Sequence, residues 1–277
     1  MKKIALSLIC MFACAAAAFS QTSYPFEVSI TGKGKIPVIF IPGFSCSGKV
    51  WDETLQQLEP NYKCYTLTMA GFAGAKADTA PDVNNWISSL GAYIEHEHLN
   101  KPIIIGHSIG GVMAEWLAAD YPDKISKIIV VDALPCLFAL GDSTYKAYEH
   151  PKCGFAANYY KSMDTAYFRA FQRLSMKGMV KDSTKIDMIV QWAVNSDRNT
   201  LGQIFCQFRN VDMRAKLSKI TCPALILLEP SFKGNKGVVE QYSTLKTAQL
   251  EYANKGLHFI MYDDKEWYLS EVNKFLQ

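Results

Sequence analysis

Apolar residues in this chain gather into short runs, separated by stretches whose apolar positions repeat with a helical period. Phe26 to Thr31 alternates in and out like a strand with one covered face. Pro37 to Ile41, Tyr62 to Met69, Ile103 to Ile105, Ile125 to Asp132 and Ala224 to Leu228 are more continuously apolar, and a shorter run spans Gln249 to Tyr252. Between them Val50, Trp51, Leu55 and Leu58 recur at helical spacing. So do Val83, Trp86, Ile87, Leu90 and Ile94, behind an Asp82 suited to an N-cap. The last helix gathers Tyr268, Val272, Phe275 and Leu276 on one face.

Strands that are apolar throughout are buried on both faces, and alternation with helices makes them parallel. The pattern therefore predicts an α/β fold, with a mostly parallel central sheet and helices on both faces. One interval breaks the alternation. Residues 135–211 are helical in character, rich in Tyr, Phe and Met, and lack a strand-like run. They read as an inserted helical cap, which leaves 21–134 and 212–277 as the core. Gly32-Lys33-Gly34, between the first two runs, reads as a hairpin turn.

The stretch Lys101 to Val112 (KPIIIGHSIGGV) carries the first sign of chemistry. A buried Ile run leads into Gly106-His107-Ser108-Ile109-Gly110 and then into a helix. Gly-x-Ser-x-Gly between strand and helix is the pattern of a nucleophile elbow. Ser108 must stand at the tip of a turn too tight for side chains on either flank. The turn lifts its hydroxyl off the sheet and aims the Ile109 N–H and the helix N-terminus at developing negative charge.

Composition narrows the setting. Residues 1–20 open with Lys2-Lys3, continue as an apolar, alanine-rich stretch and end in Ala18-Phe19-Ser20, the form of a cleaved signal peptide. Export, to a periplasm or beyond the cell, is expected, with no stable membrane insertion after cleavage. The leader takes two of the 29 basic residues and none of the 26 acidic ones, so the remainder carries 27 against 26, net +1. That balance argues for no nucleic-acid partner and gives no sign of an anionic membrane surface. A small-molecule substrate is the expected partner. Six cysteines lie beyond the leader (Cys46, Cys64, Cys136, Cys153, Cys206 and Cys222), none in a C-x-x-C pair, and they allow about fifteen connectivities. No metal set, dinucleotide fingerprint or phosphate loop is present, so no cofactor is implied.

The segments PGFSCSG (42–48), AGFAG (70–74), GHSIGG (106–111), VVDAL (130–134) and LHFIMYDD (257–264) together resemble the α/β-hydrolase superfamily over essentially all of the chain beyond the leader. The resemblance implies Ser108 as nucleophile and His258 as its base. It points to the N–H groups of Phe44 and Ile109 as an oxyanion hole. For the third member it leaves two carboxylates, Asp132 after the strand that follows the nucleophile helix and Glu229 at the end of a later strand, with Asp132 preferred. His107 would be a packing group, and Asp263 and Asp264 would cap the last helix. Cap aromatics, Phe138, Tyr145, Phe155, Tyr160, Tyr167 and Phe168 among them, would line an apolar pocket over Ser108. A serine at this position implies an acyl-enzyme, hence hydrolysis of a small, largely apolar ester or lactone. Carbon–carbon bond cleavage, acyl transfer to other acceptors, or a hydrolase fold kept only for binding are the alternatives.

Overall fold

The computed structural model describes residues 23–148 and 150–277; the leader read at 1–20 lies outside them. Among these residues seven strands form one sheet: β1 (Phe26–Thr31), β2 (Ile36–Ile41), β3 (Tyr62–Met69), β4 (Ile103–His107), β5 (Lys127–Val131), β6 (Ala224–Leu228) and β7 (Ala248–Tyr252). Their order is β1-β3-β2-β4-β5-β6-β7, with β1 antiparallel to β3 and every other neighbouring pair parallel. The mostly parallel sheet expected from the apolar runs is what forms.

The Gly32-Lys33-Gly34 turn corrects one expectation. It is not a hairpin, because β3 lies between β1 and β2. The turn passes over the start of β3, where Lys33 and Gly34 N–H donate to the carbonyls of Glu59 (3.2 Å) and Tyr62 (3.3 Å). β1 takes its hydrogen bonds from a strand about thirty residues away, which no local turn signal reports.

Helices α1 (Asp52–Leu58), α2 (Val83–His96), α3 (Ile109–Asp120), α8 (Lys236–Tyr242), α9 (Ile260–Asp263) and α10 (Lys265–Leu276) complete the core, while α4 (Gly154–Ser162), α5 (Thr165–Lys177), α6 (Ser183–Asn195) and α7 (Arg198–Arg209) lie in the insertion between β5 and β6. Alternate strand residues feed two separate apolar layers. Ile39, Ile41, Ile104, Ile128, Val130 and Ile226 pack with α2, α3 and α8. Val38, Phe40, Ile105, Ile129, Val131 and Leu227 pack with α1 and α10. Asp82 caps α2 as its position suggests, accepting from Asn85 N–H at 2.9 Å. The insertion is tied internally by a Cys153–Cys206 disulfide between the start of α4 and α7; the other four of the six cysteines are free and buried.

Glu115, on α3 behind the elbow, is fully buried and neither carboxyl oxygen has a hydrogen-bond partner. The neighbouring Tyr242 hydroxyl donates instead to the Ala133 carbonyl at 2.8 Å. Burial pushes the Glu115 carboxyl up to about 8, with Tyr242 pulling slightly the other way. A carboxyl raised on folding holds its proton in the folded state after the unfolded chain has lost its own. Its contribution to stability is therefore complete below the unfolded value and declines as pH rises toward 8. Glu115→Gln should raise Tm at pH 8, by about 2–4 kcal/mol of stability, and leave it nearly unchanged at pH 4. Thermal melts of both proteins across that range check the sign.

Candidate active site

The sheet's order reverses beside β2: the chain runs outward to β3, then returns to place β4 on the other side of β2. Ligands of open parallel sheets bind beyond the carboxyl ends of strands at such a reversal. Phe44 follows β2, Ser108 follows β4, Asp132 follows β5, Glu229 follows β6 and His258 lies in the loop after β7. All five sequence-predicted positions thus fall on one edge.

Ser108 adopts φ 54°, ψ −123°, a left-handed conformation unusual for a residue with a side chain. Its flanks must be glycine: a Cβ on Gly106 would lie 2.0 Å from the Gly110 carbonyl, and one on Gly110 2.3 Å from the Ile41 carbonyl. The second of these contacts presses the start of α3 against the loop after β2. That loop comes close to the serine itself, since a Cβ on Gly43 would be 3.3 Å from the Ser108 Cβ. The Phe44 N–H makes no hydrogen bond within the described chain, and the Ile109 N–H stands in the first turn of α3, where amides have no intrahelical acceptor. Two unengaged donors therefore flank a half-buried hydroxyl.

His258 Nδ1 lies 2.7 Å from Asp132 Oδ2. The histidine side chain keeps 25 % of its exposure while the aspartate keeps 3 %, so the ring reaches the cleft and the carboxylate stays dry. Asp132, itself at φ 48°, accepts the Glu229 backbone N–H on Oδ1 at 2.7 Å. The Glu229 carboxylate instead takes the Ser231 hydroxyl. Of the two candidate acids, Asp132 meets the ring and Glu229 supports it through the backbone. With Nδ1–H donated to Asp132, Nε2 presents a lone pair. No hydrogen bond joins Ser108 to His258 in this conformation; such contacts are often loose without substrate and tighten in the complex.

His107 does more than pack. It is buried, its ring centroid lies 4.6 Å from that of His258, and its Nε2 sits 3.0 Å from the His258 carbonyl. Burial, and then the nearby His258, hold its imidazole well below the usual range. A neutral ring donates Nε2–H to that carbonyl, leaving Nδ1 unpartnered against Gly43, where a Cβ would approach within 2.6 Å. His107→Phe keeps the ring volume and deletes the donor. Its kcat should fall about tenfold with KM little changed, as steady-state kinetics would show.

Asp263 and Asp264 also depart from expectation. Asp264 precedes α10, yet its side chain makes no cap hydrogen bond. Its Oδ2 accepts instead from Asn254 N–H (2.9 Å) and Lys255 N–H (3.3 Å). Asp263 accepts from Leu257 N–H at 2.9 Å, Asp182 N–H at 2.9 Å and Lys181 N–H at 3.0 Å. The tight loop carrying His258 leaves amides without strand or helix partners, and these carboxylates take them. The same bonds tie that loop to the insertion.

A groove of about 520 Å³ crosses the insertion, lined by Phe138, Tyr145, Phe155, Tyr159, Tyr160 and Phe205 among others. Neither Ser108 nor His258 lines it, so it is not the pocket over Ser108 expected from the sequence; its Phe205 ring centroid lies 5.8 Å from that of Phe44. Two expected lining residues are elsewhere. Phe168 is fully buried beneath the Arg198 guanidinium, 3.3 Å from its ring centroid, and Tyr167 faces solvent. Among the described residues no group of three His, Cys, Asp or Glu side chains could hold a metal ion.

A serine on a strained bend, a histidine backed by a buried aspartate and two idle amides form an arrangement with the parts that nucleophilic hydrolysis requires. Residues 36–175 match the family described as alpha/beta hydrolase fold, and the chain belongs to that family. It is a hydrolase. Among curated relatives, a pimeloyl-[acyl-carrier protein] methyl ester esterase of Aliivibrio fischeri is 22% identical over 192 residues, covering 67% of this chain and 71% of that one. Among solved structures, the enol-lactonase of Burkholderia xenovorans superposes with TM-score 0.75 at 13% identity, over 91% of this chain and 96% of that one. A thermophilic esterase of Thermogutta terrifontis gives TM-score 0.73 at 17% identity, over 91% and 92%.

Proposed function

We propose that this protein is an exported serine esterase that cleaves a small, largely apolar ester or lactone. The observation that carries the reading is the 2.7 Å contact between His258 and Asp132, which leaves Nε2 free to act as base at Ser108. Ser108 Oγ attacks the carbonyl carbon as His258 takes its proton. The tetrahedral oxyanion meets the N–H groups of Phe44 and Ile109. The carbonyl carbon–oxygen bond then breaks, and His258 returns the proton to the leaving alkoxide. Water attacks the acyl-serine with His258 again as base, which releases the acid and restores Ser108.

An apolar acyl or alcohol portion is supported by the aromatic groove of the insertion, whose Phe205 ring lies 5.8 Å from that of Phe44. Kinship with a methyl ester esterase and likeness to an enol-lactonase agree with ester chemistry. Export rests on the leader-like residues 1–20.

The direct test sets p-nitrophenyl butyrate beside a β-diketone of similar size. Turnover of the ester at least about a hundredfold faster than carbon–carbon cleavage is expected, because p-nitrophenolate leaves far more readily than an enolate carbanion. A faster diketone reaction overturns the esterase reading.

A further inference from the structure

The nearly balanced charge of the chain conceals an asymmetry on the insertion. Between positions 151 and 181 lie six basic residues (Lys152, Lys161, Arg169, Arg173, Lys177 and Lys181) against one acidic residue, Asp164. All six are exposed. Asp164 is engaged in capping α5, where it accepts the Tyr167 N–H at 2.9 Å. Of the six cations only Arg173 meets a carboxylate among the described residues, that of Asp187.

The same segment turns large apolar side chains to water. Phe155 is 85 % exposed, Leu174 70 % and Tyr167 55 %. Helix α5 buries only Phe168, Gln172 and Met176, while Tyr167, Phe171 and Leu174, at i, i+4 and i+7, form an uncovered stripe. Phe171 lines the same groove as Phe155 and Tyr159 of α4, so the two helices share one apolar surface. Arg169, Arg173 and Lys177 recur every four residues; Arg169 and Arg173 turn toward α6, where they meet Gln191 and Asp187, and Lys177 lies nearest the stripe. No helix among the described residues is long and apolar enough to cross a membrane.

We propose that the exposed face of α4 and α5 docks peripherally on an anionic lipid surface. Aromatic rings and Leu174 enter the boundary between headgroups and acyl chains, and the surrounding ammonium and guanidinium groups meet lipid phosphates. An acidic protein partner would satisfy the charge, but it would face an apolar centre with the cations at its margin. A lipid interface matches both parts. The face includes Phe155, Tyr159 and Phe171 of the aromatic groove. Docking itself does not use Ser108 and stands apart from the esterase reading.

The test is co-sedimentation of the chain with phosphatidylcholine vesicles, with and without phosphatidylglycerol. Partitioning should be at least about tenfold stronger with phosphatidylglycerol and should weaken as salt screens the charges. The exposed pair Tyr167→Ser/Leu174→Ser should lower it about tenfold, and Lys161→Glu/Lys177→Glu should do so only on anionic vesicles. Both pairs lie outside the site and should hydrolyse soluble p-nitrophenyl acetate as the unmodified protein does; either pair alone decides the matter. Ser108→Ala should sediment normally, which separates failure of docking from failure of catalysis. Equal partitioning on both vesicle types, undiminished binding by a variant pair that retains activity, or retention by an immobilised acidic protein without any by vesicles overturns the proposal.

Discussion

Ser108→Ala should lower kcat on p-nitrophenyl butyrate by about 10⁶ and abolish labelling by a fluorophosphonate probe. The reaction needs an oxygen nucleophile at the tip of the bend, and alanine offers none. Water cannot take its place efficiently, because nothing at the tip of the bend holds it against the carbonyl carbon. Alanine has the backbone tolerance of serine, so φ 54° costs little more after the change and the variant should fold. Residual turnover should persist above the uncatalysed rate, since the Phe44 and Ile109 amides still meet the oxyanion. Peptide mass mapping of the labelled protein gives the complementary result, a phosphonyl group on Ser108 and on no other serine. A variant retaining more than about a tenth of the activity would remove Ser108 from the mechanism.

What sequence could reveal here follows the range of each interaction. β1, β3 and β6 keep the bounds of their sequence patterns. β6 does so because burial of both faces leaves no room for polar positions, and β1 because an edge strand alternates between a covered and an open face. The elbow was legible because close backbone approach admits only glycine at 106 and 110. The position of β1 beside β3 was not, since pairing across the sheet is decided by partners remote in sequence. The same holds for Asp263, whose acceptor role depends on amides at 181, 182 and 257, and for Asp264, which takes those at 254 and 255; these come together only in the folded chain. Six cysteines could not disclose the Cys153–Cys206 bridge for that reason. Aromatic residues of the insertion were recognisable as a set, yet spacing could not separate Phe168, sealed under Arg198, from Phe155 in solvent. Net charge misled in another way: summed over the chain it erased the excess of cations between 151 and 181.

Asp132→Asn should lower kcat/KM by about 10⁴ while Glu229→Gln changes it by less than about threefold. The contrast follows from who occupies each oxygen. Asp132 Oδ1 is held by the Glu229 backbone N–H at 2.7 Å and Oδ2 faces His258 Nδ1 at 2.7 Å. An asparagine must keep its carbonyl oxygen toward the Glu229 amide, because its NH₂ cannot face another donor. Its NH₂ then points at His258 Nδ1, which must become an acceptor. The ring's proton moves to Nε2, the nitrogen that should receive the Ser108 proton, and the base is lost although every atom keeps its place. Glu229→Gln leaves that backbone N–H intact and alters only a side chain bonded to Ser231. Initial-rate measurements on the two variants therefore distinguish the acids directly. Equal losses from both changes would mean that the Glu229 carboxylate shares the work of orienting the ring, which its bond to Ser231 argues against.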